Sequence, residues 1–108
     1  MQFALDVIEL CEVIRKKYRA LWVIADQLTD SGTSVGANVR EARASSSKKD
    51  YIKFFEIALK SANETGFWLE IITYKCQGEK DKTERILREN NEIANIIASG
   101  LLTMKGRK

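Results

Sequence analysis

The chain has 108 residues, of which 44% are hydrophobic and 31% charged, with six glycines and neither proline nor histidine; residues 1–108 suffice for a single domain around one hydrophobic core. Average usage predicts about five prolines in such a length, so their absence points to long uninterrupted helices and away from a turn-rich sheet. Lack of histidine removes the commonest general base and metal ligand, two cysteines cannot by themselves complete a tetrahedral zinc site, and a formal charge of +3 neither demands nor excludes a polyanionic partner.

The first element is an amphipathic helix over residues 2 to 18. Phe3, Val7, Leu10, Cys11, Ile14 and Tyr18 recur at steps of three and four. Asp6 and Glu9 come early and Arg15, Lys16 and Lys17 late, so the charges complement the helix dipole. No glycine or proline marks its end, and the break is placed near Arg19–Leu21. A second stripe, Leu21, Ile24, Leu28, Val35, Val39 and Ala42, keeps the helical period. Ser45-Ser46-Ser47-Lys48-Lys49-Asp50 is the clearest punctuation, because Ser47 can cap the next helix and Asp50, three residues on, can answer as a weak capping-box partner.

The third stripe is the longest: Tyr51, Phe55, Ala58, Ala62, Thr65, Leu69, Ile72 and Cys76, widened by Ile52, Leu59 and Trp68. So broad a face suits a bundle helix with two neighbours. Gln77-Gly78-Glu79 ends it, and Ile86, Asn90, Ile93, Ile97, Leu101 and Met104 form a fourth. The tail, Lys105 to Lys108, reads as frayed. Four helices with short connections predict an all-α, antiparallel up-down-up-down four-helix bundle. Cys11 and Cys76 fall on or near apolar stripes, so both read as reduced structural thiols.

Inside the second stripe lies Ser31-Gly32-Thr33-Ser34-Val35-Gly36-Ala37-Asn38-Val39-Arg40-Glu41-Ala42. Each glycine costs a helix about 1 kcal/mol relative to alanine, so something should offset Gly32 and Gly36. Either the helix breaks at Asp30-Ser31-Gly32 and restarts at Thr33 or Ser34, or it continues and the small residues let another backbone approach closely. The unbroken period from Leu28 to Val39 favours the second. Asn38 and Glu41 are read as tying this helix to the Ser47–Asp50 turn by hydrogen bonds, since buried polar groups need partners; lining a ligand site is the alternative.

The same stretch, with its Ser34-x-x-x-Asn38-x-x-Glu41-Ala42 element, the downstream Lys48-x-Asp50-Tyr51, and Ala58-Leu59-Lys60-Ser61-Ala62-Asn63-Glu64-Thr65 before Trp68-Leu69, resembles the bacterial four-helix bundle family named for the intervening-sequence protein of 23S ribosomal RNA genes. The resemblance covers nearly the whole chain. It implies an up-down bundle and a homo-oligomer, pentameric in known members, with no established enzymatic activity. It also implies a setting. Some members are encoded within ribosomal RNA insertions, and a related branch is the accessory protein of diversity-generating retroelements, working with a reverse transcriptase and nucleic acid. The corner between the first two helices, where many members carry proline, here reads Lys17-Tyr18-Arg19-Ala20, which leaves its geometry open.

Charge is distributed unevenly. In an up-down bundle residues 40 to 50, with Arg40, Arg43, Lys48 and Lys49 against Glu41 and Asp50, share a pole with Lys105, Arg107 and Lys108, for a net +5. Residues 12 to 19 and 75 to 82 give +4 at the other pole, leaving the body at −6. Such a pole attracts phosphate backbones through counterion release, although basic residues late in helices also simply complement the dipole. Trp22, Trp68 and Tyr74 are the aromatics able to stack on bases; Trp68 reads as core or subunit interface and Trp22 as the most exposed. Ser45, Ser46 and Ser47 lack an activating base, and Gly32 and Gly36 lack the Gly-Lys-[Ser/Thr] ending of a phosphate loop. The expectation is therefore a non-enzymatic protein without cofactor or metal, binding RNA or DNA, or a protein that handles them, through Arg40, Arg43, Lys48 and Lys49. A protein-interaction scaffold with no nucleic-acid role is the rival. With no leader-like start and no apolar run near the ~20 residues of a membrane span, a cytoplasmic location is expected.

Overall fold

Helix α1 (Gln2–Lys17) buries Phe3, Val7, Leu10, Cys11 and Ile14, the stripe expected from its period. Helices α2 (Trp22–Ala44), α3 (Lys48–Lys75) and α4 (Lys80–Met104) complete an antiparallel four-helix bundle of 45 × 22 × 20 Å. The computed structural model describes residues 1–106; Arg107 and Lys108, assigned above to the basic pole, lie outside the described residues. No strand occurs among the described residues, and none of their helices is long and apolar enough to cross a membrane.

The first corner turns without proline or glycine. Tyr18 leaves the helix at φ −127°, ψ 63° while its N–H still donates to Ile14 O at 2.8 Å. A 3₁₀ turn over Arg19–Leu21 follows, with the Leu21 N–H bound to Tyr18 O at 2.9 Å. The corner between α3 and α4 repeats this arrangement. Cys76, at φ −119°, ψ 71°, donates to Ile72 O at 2.8 Å, and Glu79 closes the 3₁₀ turn Gln77–Glu79 onto Cys76 O at 2.9 Å. The two corners lie side by side: a Cβ placed on Gly78 would come within 3.0 Å of the Tyr18 hydroxyl. At the other end Ser47 caps α3, its side chain accepting from the Asp50 N–H at 3.1 Å.

Helix α2 is continuous through both glycines. Its narrow segment lies between α1 and α3. A Cβ on Gly32 would sit 2.8 Å from Val7 Cγ1, a β-branched and fully buried side chain with little freedom to move. On the α3 side the Ser31 and Thr65 hydroxyls are 3.0 Å apart and those of Ser34 and Ser61 3.1 Å. Gly36 departs from the expectation of close packing. An added Cβ there meets nothing within 4 Å, because Gly36 faces a hollow that Met1, Phe3 and Ala4 line without closing.

Two hydrophobic clusters fill the bundle. The larger, around Val7, Leu10, Ile14, Leu28, Leu69, Ile72 and Ile86, takes side chains from all four helices. The smaller, Val35, Ala58, Ala62, Ile97 and Leu101, is built from α2, α3 and α4 alone, since the 16 residues of α1 span only about 24 Å against about 42 Å for the 28 of α3. Between the clusters Asn90 is 1% exposed; its Nδ2 donates to Ala62 O at 2.9 Å and its Oδ1 has no partner among the described residues.

The two glycines therefore separate in denaturant melts. Gly32→Ala should lower stability by about 1 kcal/mol, overpacking against Val7 outweighing the helix-propensity gain. Gly36→Ala should raise it by roughly 0.5–1 kcal/mol. A stabilised Gly32→Ala protein would contradict the close approach of α1 and α2.

Candidate binding surface

The α2–α3 turn builds the basic pole. Arg40 and Arg43 leave the last two turns of α2, and Lys48 and Lys49 open α3. All four are exposed, and none makes an ion pair among the described residues. At the same pole Lys105 is engaged, its Nζ 2.7 Å from Glu56 Oε2. The first turn of α3 adds the positive end of its dipole beside Lys48 and Lys49. At the opposite pole Arg15 meets Asp26 at 2.9 Å and Thr29 Oγ1 at 3.0 Å, Lys17 meets Glu79 at 3.6 Å and Lys82 meets Glu9 at 3.0 Å. Lys16, Arg19, Lys75 and Lys80 make no ion pair there among the described residues.

Asn38 and Glu41 do not hold the turn in the way expected. Asn38 Nδ2 donates to Ser34 O and Ser34 Oγ, both at 2.9 Å, one turn back along its own helix. Through Ser34 it extends the hydroxyl seam toward Ser61. The Glu41 side chain is exposed, and only its backbone carbonyl contributes, accepting from Ser45 Oγ at 2.9 Å. The motif residues Ser34 and Asn38 thus act within α2, and Asp50 acts through its backbone N–H on Ser47. Physically, the polar group nearest Asn38 is the carbonyl four residues behind it, a shorter reach than the turn.

A feature that the linear pattern does not display lies between α2 and α4. Above the start of α1 the bundle has three walls, and the open side forms an apolar groove of about 500 Å³. Val39, Phe55, Ile93 and Ile97 form its floor, with Tyr51 and Phe55 edge to face at 4.7 Å. Arg43 stands on its rim, and a second hollow continues it past Arg40 to Met1, Phe3 and Ala4. Ile96, 72% exposed, lines the groove. The one available signal was Ile96 itself, an isoleucine beside the α4 stripe rather than on it. Structure brings Arg40 and Arg43 together on this groove and sets Lys48 and Lys49 on the adjoining helix start. Gly36, facing open space, borders the second hollow.

Trp22 and Tyr74, 59% and 83% exposed, stand near the corner pole. Trp68 is half-buried against the larger cluster, with Nε1 3.4 Å from Glu64 Oε1. Neither thiol is activated. Burial pushes both Cys11 and Cys76 above the ordinary thiol range, outweighing the Thr29 hydrogen bond that favours the Cys11 thiolate, while Glu79 raises Cys76 further. Among the described residues no three of His, Cys, Asp or Glu converge to hold a metal.

With this geometry in view, comparison with known proteins is informative. A family model described as 23S rRNA-intervening sequence protein matches residues 1–99. A crystal structure from Bacteroides thetaiotaomicron, of a protein with unknown function from the S23 ribosomal protein family, is similar at a TM-score of 0.85 and 34% identity, covering 93% of this chain and 92% of that one. No curated protein matches the sequence.

Both thiols should resist maleimide labelling in the native protein at neutral pH and react once it is denatured. A buried thiol whose pKa is raised stays neutral while its unfolded counterpart ionises. Stability should therefore be insensitive to these groups below about pH 8 and fall above about pH 9; rapid native labelling would contradict the burial.

Proposed function

Because this chain belongs to the 23S rRNA-intervening sequence protein family, we propose that it acts without catalysis, as a homo-oligomer in the bacterial cytoplasm that binds RNA or DNA, or an enzyme that handles them, through its basic pole. A pentameric ring is the assembly in keeping with the family resemblance, and a reverse transcriptase is the class of enzyme partner that resemblance suggests. The observation that carries the nucleic-acid reading is the set Arg40, Arg43, Lys48 and Lys49: four exposed cations on one turn, without ion pairs among the described residues, beside the positive end of α3. Cations already held by carboxylates would have to break those pairs before meeting phosphates; these do not.

Repeating the pole around a ring would place several such turns on one face, raising local counterion density and so the free energy of its release. No base-reading motif accompanies the cations, so recognition rests on the backbone, and sequence preference should be weak. Exposed Trp22 and Tyr74 supply stacking surfaces at the other pole for unpaired bases.

Fluorescence anisotropy with single-stranded and duplex RNA and DNA at low salt tests this reading. Binding should weaken with salt, with a log–log slope of about −3 for a single strand contacting four cations. An Arg40→Glu/Arg43→Glu/Lys48→Glu/Lys49→Glu protein should lose at least about tenfold in affinity. Absence of binding, or affinity indifferent to salt, would refute the proposal. Light scattering should give a mass several times the 12.3 kDa of one chain; a 12.3 kDa particle at micromolar concentration removes the ring.

A further inference from the structure

The apolar groove shares Arg40 and Arg43 with the basic pole and adds an apolar floor to them. We infer that it is a docking site for an amphipathic helix of another protein, one that carries acidic residues along the flanks of its apolar face. The seat is the continuation of α1's own. Below it α1 lies against α2 and α4; above it the same two walls persist for roughly 10–15 Å, about two to three turns, with no fourth helix among the described residues. The smaller core cluster is left open on this side, and Ile96 stands 72% exposed beside it.

Charge specifies the occupant further. Among the residues lining the groove and the hollow that continues it, Arg40 and Arg43 are the charged ones, and no carboxylate accompanies them. Neither arginine has an ion-pair partner among the described residues. An apolar floor with a purely cationic rim complements a helix with leucine-like residues at i, i+3 or i+4, and i+7, flanked by glutamate or aspartate. A polynucleotide would satisfy the rim and leave the apolar floor uncovered. An extended peptide would find no strand edge to pair with, since the walls are helices whose backbone groups are satisfied internally. A sister chain also offers an exposed apolar face, Leu5 and Ile8 of α1 beside Glu9 and Glu12, so a second copy is the competing occupant that sedimentation decides below.

The test uses the full chain and a labelled, end-blocked peptide of about 14 residues, roughly four turns, with leucines at i, i+4, i+7 and i+11 and glutamates beside them. A matched peptide carries lysine in place of each glutamate. The glutamate peptide should bind and gain helical circular dichroism, and the lysine peptide should bind at least about tenfold more weakly. Ile96→Glu, at an exposed position where the fold should tolerate it, and separately Arg40→Glu/Arg43→Glu should each weaken glutamate-peptide binding about tenfold, with melting temperature confirming intact folding. Equal binding of the two peptides, no binding of either, or indifference to Ile96→Glu overturns the inference. Sedimentation decides against a second copy or for it: an oligomer that Ile96→Glu dissociates, with no peptide binding, assigns the groove to self-association and also overturns the inference. Ile96→Glu should leave the anisotropy response to RNA and DNA unchanged, so the peptide result and the nucleic-acid result stand or fall separately.

Discussion

Helix α2 is held between α1 and α3 by what it lacks. Along the segment where it meets both neighbours it presents Gly32 to Val7 of α1, and Ser31 and Ser34 to Thr65 and Ser61 of α3. Larger side chains would push the helices apart, and the loss would spread through a close-packed interior because cores do not relax fully around a misfit. The hydroxyls gain from the same closeness, since each finds a partner without leaving the interface: Thr65 also returns a hydrogen bond to Ser61 O at 2.7 Å. The glycine that weakens helix propensity at one position thus lets α2 approach Val7, a member of the larger core cluster.

Helix length explains why the two ends of the molecule differ: α1 has 16 residues and α3 has 28. At the corner end all four helices converge, the two 3₁₀ turns repeat one another, and Arg15, Lys17 and Lys82 find carboxylates across helix boundaries. At the other end α1 has stopped. The turn carrying Arg40, Arg43, Lys48 and Lys49 projects beyond it with fewer neighbouring chains to supply acids, so its cations remain without ion pairs among the described residues, and the core beneath is open on one side. Unneutralised charge and uncovered apolar surface therefore occur together and have one cause, the mismatch in helix length. Surfaces of this kind on small domains mark interaction sites.

Asn90 shows a different compromise. A buried amide with one unsatisfied oxygen is costly, yet it stands where the two clusters meet, its Nδ2 on the Ala62 carbonyl and its side chain 3.4 Å from where a Gly66 Cβ would lie. A polar group able to satisfy its donor at one carbonyl disfavours sliding of α4 along α3, in the way a single buried polar residue selects register in coiled coils.

The sequence by itself determined the secondary structure and the class of the bundle. Steps of three and four placed every helix and Ser47 marked the start of α3, because these signals are local and written in a few neighbouring residues; the break near Arg19–Leu21 is placed without a glycine, a proline or a change of period to mark it. Tertiary structure decided what depends on which helix lies opposite which residue. It separated Gly32, pressed on Val7, from Gly36, facing open space, though both sit in the same small-residue run. It turned Asn38 back onto Ser34, left Arg40 and Arg43 without ion pairs among the described residues while engaging Lys105, and opened a groove at Ile96. None of these follows from periodicity, since the lengths of α1 and α3 are legible separately, but which residues of one stand opposite which residues of the other is decided only when the helices pack.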